Sequence, residues 1–119
     1  MYLFIKMIVN ESKISWTVKV INAANWVGLG ICFKNIVEKN KFDFVNYSAA
    51  QHGGFVISSN GYNWAHNNPS QNSNQTYGIS FTTSNIILFE LDLKQSILKY
   101  INKTTNNSGQ LNIVRKNNN

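Results

Sequence analysis

Three side chains in this sequence carry the chemistry of a nucleophile or a metal ligand: Cys32, His52 and His66. A thiol and an imidazole within reach of each other make a Cys/His dyad, provided the thiolate is stabilised. Cys32 lies inside the apolar run Trp26-Val27-Gly28-Leu29-Gly30-Ile31-Cys32-Phe33. A free cysteine in such a run behaves as a small hydrophobe. Nothing beside it, neither a basic cluster nor a helix start, is placed to activate it. The two histidines stand apart in sequence without a third ligand at a recognisable spacing, so neither a metal nor a cofactor is expected. A single cysteine also excludes an intrachain disulfide. It fits a reducing compartment, and the expected location is therefore intracellular and cytoplasmic.

The carboxylates need a separate reading. Glu90-Leu91-Asp92 puts two acids on one face of a strand. Laminarinase-like glycoside hydrolases carry such a pair on a β-sandwich strand, with a third acid further along. Nucleophile and acid/base then stand about 5–5.5 Å apart, as retention requires. Here the chain continues Leu93-Lys94-Gln95, so the third acid is absent and the mechanism has no proton donor. Glu90 and Asp92 read as the solvated face of a strand. A carbohydrate-binding or glycan-cleaving sandwich built on them is the alternative.

Composition bounds the remaining classes. The chain has 119 residues, 43% of them hydrophobic, which suits one globular domain with one core. Lys and Arg number 11 against 5 Asp and Glu, a formal charge of +6 that attracts polyanions. The lysines are dispersed, however, and no basic, aromatic-rich motif of the RNA-recognition or cold-shock kind is present, which argues against nucleic acid as more than a weak, salt-sensitive partner. No apolar run approaches the roughly 20 residues of a membrane span, so no membrane partner is expected. Met1 to Val9 is interrupted by Lys6 and lacks a basic start, which makes it a buried strand rather than a signal. About one residue in six is Asn, so the Asn-x-Ser/Thr triplets arise by chance.

The elements that must position these residues are strands. Ser15 to Val20 alternates strictly, with Trp16, Val18 and Val20 on one face. Trp26 to Phe33 is apolar on both faces and reads as a central strand, with Trp16 and Trp26 as core filler. Lys34 to Lys41 reads as a charged loop, and Phe42 to Tyr47 as a short edge strand. Gly53 to Ser58 is a further strand closed by the turn Ser59-Asn60-Gly61. Trp64 to Thr76 is the longest polar stretch and reads as an exposed loop. Tyr77 to Phe81 leads on to Ile86–Leu93, which alternates cleanly. Lys94-Gln95-Ser96 turns the chain, Ile97 to Ile101 returns it, and Leu111 to Val114 adds a last strand. Eight or nine strands at about ten-residue spacing make an all-β, antiparallel sandwich or barrel. A single domain over residues 1–114 and a disordered basic, Asn-rich tail over residues 115–119 are expected.

Read together, these segments resemble the SPRY (B30.2) domain family. Trp16-Thr17-Val18-Lys19-Val20, followed by Trp26-Val27-Gly28-Leu29-Gly30-Ile31, is similar to the family's opening strand pair. His52 to Gly61 looks like its Gly-rich hairpin ending in Asn-Gly. Ile87 to Asn102 is similar to its later motif, in which an alternating strand ends in Leu-Asp, a glycine turn follows, and the return strand leads to Asn. The likeness covers roughly Ser15 to Ile113. It departs where Ser84-Asn85 replaces the usual Gly-Asp, where Ser96 replaces the turn glycine, and where the final strands are shortened. The resemblance implies a concanavalin A-like sandwich without an active site. Loops at one edge would grip a peptide or protein surface, as the recognition part of a ubiquitin-ligase-type assembly. The residues expected to make that contact are Gln51, His52, Tyr62, Trp64, His66 and Tyr77, all in or beside the loops around Gln51-His52 and Tyr62–Tyr77.

Overall fold

The computed structural model describes residues 13–41, 51–66 and 72–113. The expected strands over Met1 to Val9 and Phe42 to Tyr47, and the tail from Arg115, lie outside them. Among the described residues the chain forms seven strands and one short helix. They are β1 (Lys13–Lys19), β2 (Gly28–Cys32), α1 (Lys34–Lys39), β3 (Gly54–Ser58), β4 (Asn63–Ala65), β5 (Ile86–Asp92), β6 (Ile97–Asn102) and β7 (Ser108–Asn112). Two antiparallel sheets result, ordered β1-β5-β6-β7 and β2-β3-β4, and they do not close into a barrel. The chain is all-β in character.

Alternation explains which face each strand buries. In β1, Ile14, Trp16 and Val18 turn toward the core while the residues between them are exposed. In β5, Ile87, Phe89 and Leu91 are buried; in β6, Leu98 and Tyr100 are. The second sheet contributes Phe55, Ile57 and Ala65, and one hydrophobic cluster contains the residues of both sheets. Across the first sheet, Trp16, Phe89, Tyr100 and Gly109 stand directly opposite one another in a row. Trp16 stacks on Phe89 with ring centroids 5.3 Å apart. Tyr100 covers the glycine at the end of the row, where an added Cβ would lie 2.8 Å from its ring.

Three expectations are corrected. Lys34 to Lys39 is a helix, not a loop. Val37 is buried, Ile36 and Val37 press on Gly53, and the Phe33 carbonyl accepts from the Ile36 and Val37 amides. Six residues, fewer than two turns, are too few to display a helical period in the sequence. Trp26 to Phe33 is a strand only over Gly28–Cys32, and among the described residues β2 lies at the edge of its sheet. Trp26 precedes that strand and is 53% exposed. Trp64 to Thr76 does not begin as an exposed loop, since Trp64 belongs to β4 and is buried.

The β5–β6 turn shows how a local rule is met with an unfavourable residue. Asp92 accepts the Gln95 amide, three residues on, at 3.0 Å, which helps close the turn, and Ser96 then takes a left-handed φ of 58°. Ser84 does the same ahead of β5, at φ 73°. Both are positions where the motif that this segment resembles carries glycine. Ser96→Gly is therefore expected to raise stability by about 0.5–1 kcal/mol, because relief of the backbone strain outweighs the added freedom of the unfolded chain. Urea midpoints of the two proteins check this, and an unchanged or lower midpoint would contradict it.

Candidate binding site

The residues expected to bind a partner separate into two groups. His52, Trp64 and His66 are buried, whereas Gln51 and Tyr77 are exposed and Tyr62 is half-buried. The buried histidines are wired into the start of β3. Gly53 adopts φ +96°. Its amide donates to His66 Nδ1 at 2.8 Å, and the Gly54 amide donates to His52 Nδ1 at 3.0 Å. With Nδ1 accepting, the His52 proton sits on Nε2, which donates to Asn72 Oδ1 at 3.1 Å. His66 lies edge-on to Phe33 and tilted against Phe55. Burial lowers the pKa of both rings, and for His52 the neighbouring His66 lowers it further while the bond to Asn72 works the other way. Each ring acts as a neutral acceptor of a backbone amide.

A pH dependence follows. A folded pKa below the unfolded value means that the unfolded chain binds the protons first. The stabilisation is present in full above about pH 6.5 and is lost as pH falls toward the lowered folded values. The expected result is a falling urea midpoint between pH 7 and 5, above the range where carboxylates titrate. His66→Ala should start from a lower midpoint and show a shallower fall. A flat profile in the parent chain would contradict these protonation states.

Tyr77 is the exposed residue held most firmly. Its amide donates to Oδ1 of Asn63, a wholly buried residue of β4, at 3.2 Å. Its carbonyl accepts the Tyr100 hydroxyl from β6. Burial pushes the Tyr100 phenol far above its ordinary pKa, so that hydroxyl stays a donor. Tyr77 is 41% exposed. Beside it an open cleft of about 430 Å³ runs between the β3–β4 turn, residues 75–80 and the β6–β7 turn. Gly78 lets these walls meet, since a Cβ there would lie 2.2 Å from the Gly61 carbonyl oxygen. Asn60, Gln75, Ser80, Asn107 and Ser108 supply amides and hydroxyls to the lining, which contains no charged side chain among the described residues.

The sequence reading missed Trp26. Its ring folds back over Gly28, on the face of the second sheet that carries Val56 rather than Phe55 and Ile57. It meets Trp64 edge-on at 5.8 Å, and Tyr62 lies tilted to Trp64 at 6.3 Å. Trp64 is thus buried by its aromatic neighbours and linked to Ser73 by its indole N–H at 3.2 Å. Gly28 was the available signal, because only a missing side chain leaves room for that indole.

The other chemical candidates separate in space and environment. Cys32 ends β2, and burial pushes its thiol up, the opposite of activation. Asp92 is buried rather than on a solvated face, which corrects that expectation. Lys13 approaches Asp92 at 3.8 Å and Glu90 at 3.9 Å. Among the described residues no three of His, Cys, Asp and Glu gather as a metal group. No described helix is long and apolar enough to cross a membrane. In comparisons with known proteins, no family model, no curated protein and no solved structure matches the chain.

Proposed function

We propose that this chain is a non-catalytic recognition module, a SPRY-type β-sandwich that holds a peptide or protein surface at its rim. The observation that carries this reading is Tyr77. An exposed aromatic residue directly precedes Gly78 in the wall of a hydrogen-bonding cleft, on backbone tied to both sheets. Aromatic side chains of this kind supply the contact energy of interface hot spots. A rigid support keeps the ordering cost of binding low. The uncharged amides of the cleft suit main-chain groups better than ions. In this reading the contact residues are Tyr77, Tyr62, Gln51 and Trp26, while His52, His66 and Trp64 support them from behind. The module would work in a reducing interior, where Cys32 stays a thiol, as the substrate-choosing part of a larger assembly such as a ubiquitin ligase.

Displayed random peptides selected against the intact chain provide the test. Tyr77→Ala should weaken the selected peptides by about 30-fold, a loss of about 2 kcal/mol, with the melting temperature unchanged. Trp64→Ala is unsuitable for this purpose, since removing a buried ring would disturb folding. Equal peptide affinity in Tyr77→Ala would remove the assignment. Binding on a glycan array, reduced by Glu90→Gln, would favour the carbohydrate alternative instead.

A further inference from the structure

Among the described residues the pairing in the larger sheet ends at β7, and the parity of its bonds shows which groups point outward. The Asn102 amide donates to the Asn107 carbonyl at 2.7 Å, and the Ile113 amide donates to the Ser96 carbonyl at 2.8 Å. Hydrogen-bonded pairs alternate with non-bonded ones along an antiparallel ladder. Gly109 and Leu111 therefore bond to β6, while the N–H and C=O groups of Ser108, Gln110 and Asn112 face away from it. All three residues are exposed.

Of the other edges among the described residues, that of β4 already bonds to Asn74 and Asn72, and those of β1 and β2 are defended or weak. On β1, the Val20 amide bonds to Asn85, and the same parity turns out Lys13, Ser15, Thr17 and Lys19. That edge begins and ends in lysine, whose charge opposes further pairing. On β2 the outward residues are Gly28, Gly30 and Cys32, and two glycines make a poor strand. By contrast β7, Ser-Gly-Gln-Leu-Asn, carries neither charge nor proline, and its register with β6 is unbroken by a bulge. Its Ser108 end opens into the amide-lined cleft, of which Asn107 and Ser108 form one wall.

We propose that β7 takes up an extended segment of another protein as an added strand, whose end runs into the cleft beside Tyr77. The proposal rests on the peptide-recognition reading and specifies its mode. Three outward residues present donors and acceptors along a line, a pattern that an extended main chain complements. The formal charge of +6, with exposed Lys99 directly opposite Gln110, favours a neutral or acidic segment and disfavours a second copy of this chain.

Random heptapeptides displayed on phage are selected against the intact chain, and the enriched peptides are synthesised. Amide hydrogen exchange is then followed by NMR with and without them. The expected result is new protection at Ser108, Gln110 and Asn112, with Gly109 and Leu111 unchanged because they already bond to β6. Gln110→Pro deletes one outward N–H and leaves the β6 ladder intact, so it should weaken binding at least tenfold, whereas Gln110→Ala should not. If the proline variant fails to fold, the alternation of protection in the parent chain decides. Peptides that bind and are weakened by Tyr77→Ala, yet leave those three amides unprotected, overturn strand addition and keep the recognition reading. Absence of any enriched peptide counts against both. Protection that grows with protein concentration alone, together with a dimer in sedimentation, overturns the proposal in favour of self-pairing.

Discussion

Phe89→Ala is expected to lower stability by about 3–5 kcal/mol, the usual range for deleting a buried phenylalanine. Phe89 is 1% exposed at the centre of β5, the strand flanked by β1 and β6. It stacks on Trp16 and lies tilted to Tyr100 at 6.2 Å. Removing it takes the middle ring from the row that ends over Gly109. Neither neighbour can move in to fill the space, since Trp16 is fixed opposite by the ladder and Tyr100 is anchored through its hydroxyl to Tyr77. Domains of this size are stable by only about 5–15 kcal/mol, so the variant should lose a large share of its margin. Urea unfolding followed by tryptophan fluorescence measures the loss. A change below about 1 kcal/mol would mean that the row is not packed as described.

Asn102→Ala should cost about 3 kcal/mol through hydrogen bonds rather than volume. Asn102 is wholly buried, and each of its side-chain groups is used. Its Nδ2 donates to Asn85 Oδ1 at 2.9 Å and to the Ser80 carbonyl at 3.3 Å. Its Oδ1 accepts the amides of Thr104 and Thr105, shaping the β6–β7 turn. Asn85 Oδ1 also accepts the Thr82 amide at 3.0 Å, and the Asn85 carbonyl accepts from Val20. One amide therefore joins the β6–β7 turn to the approach to β5 and, through Asn85, to the end of β1. The variant should have a lower urea midpoint and faster exchange of the Thr104 and Thr105 amides. Loss of stability without that exchange change would place the damage elsewhere.

How far the sequence revealed this fold depends on how local each cause is. The β5–β6 hairpin was legible because Ile87, Phe89 and Leu91 alternate with polar or less buried positions and Asp92 can close its own turn. The Gly54–Ser58 strand, buried at every position, was legible as a short apolar run ended by the Asn60-Gly61 turn. By contrast, the burial of His52 and His66 depends on backbone amides presented by Gly53 and Gly54, and on Phe33 covering the second ring. Those relations arise only when β2 and β3 are side by side. Trp26 was misplaced because hydrophobicity alone assigns an indole to the interior, whereas here it covers a glycine from outside. Of the site, Tyr77 was legible as an aromatic beside a polar stretch. The cleft was not, since its walls come from three turns far apart in the chain.

The crossing segment between β4 and β5 is fastened to both halves of the molecule. Asn63 holds Tyr77 from one side, and Tyr100 and Asn102 hold Tyr77 and Ser80 from the other. Neither sheet can therefore peel away without releasing the strap that carries Tyr77. Heating should reveal one calorimetric peak rather than a staircase.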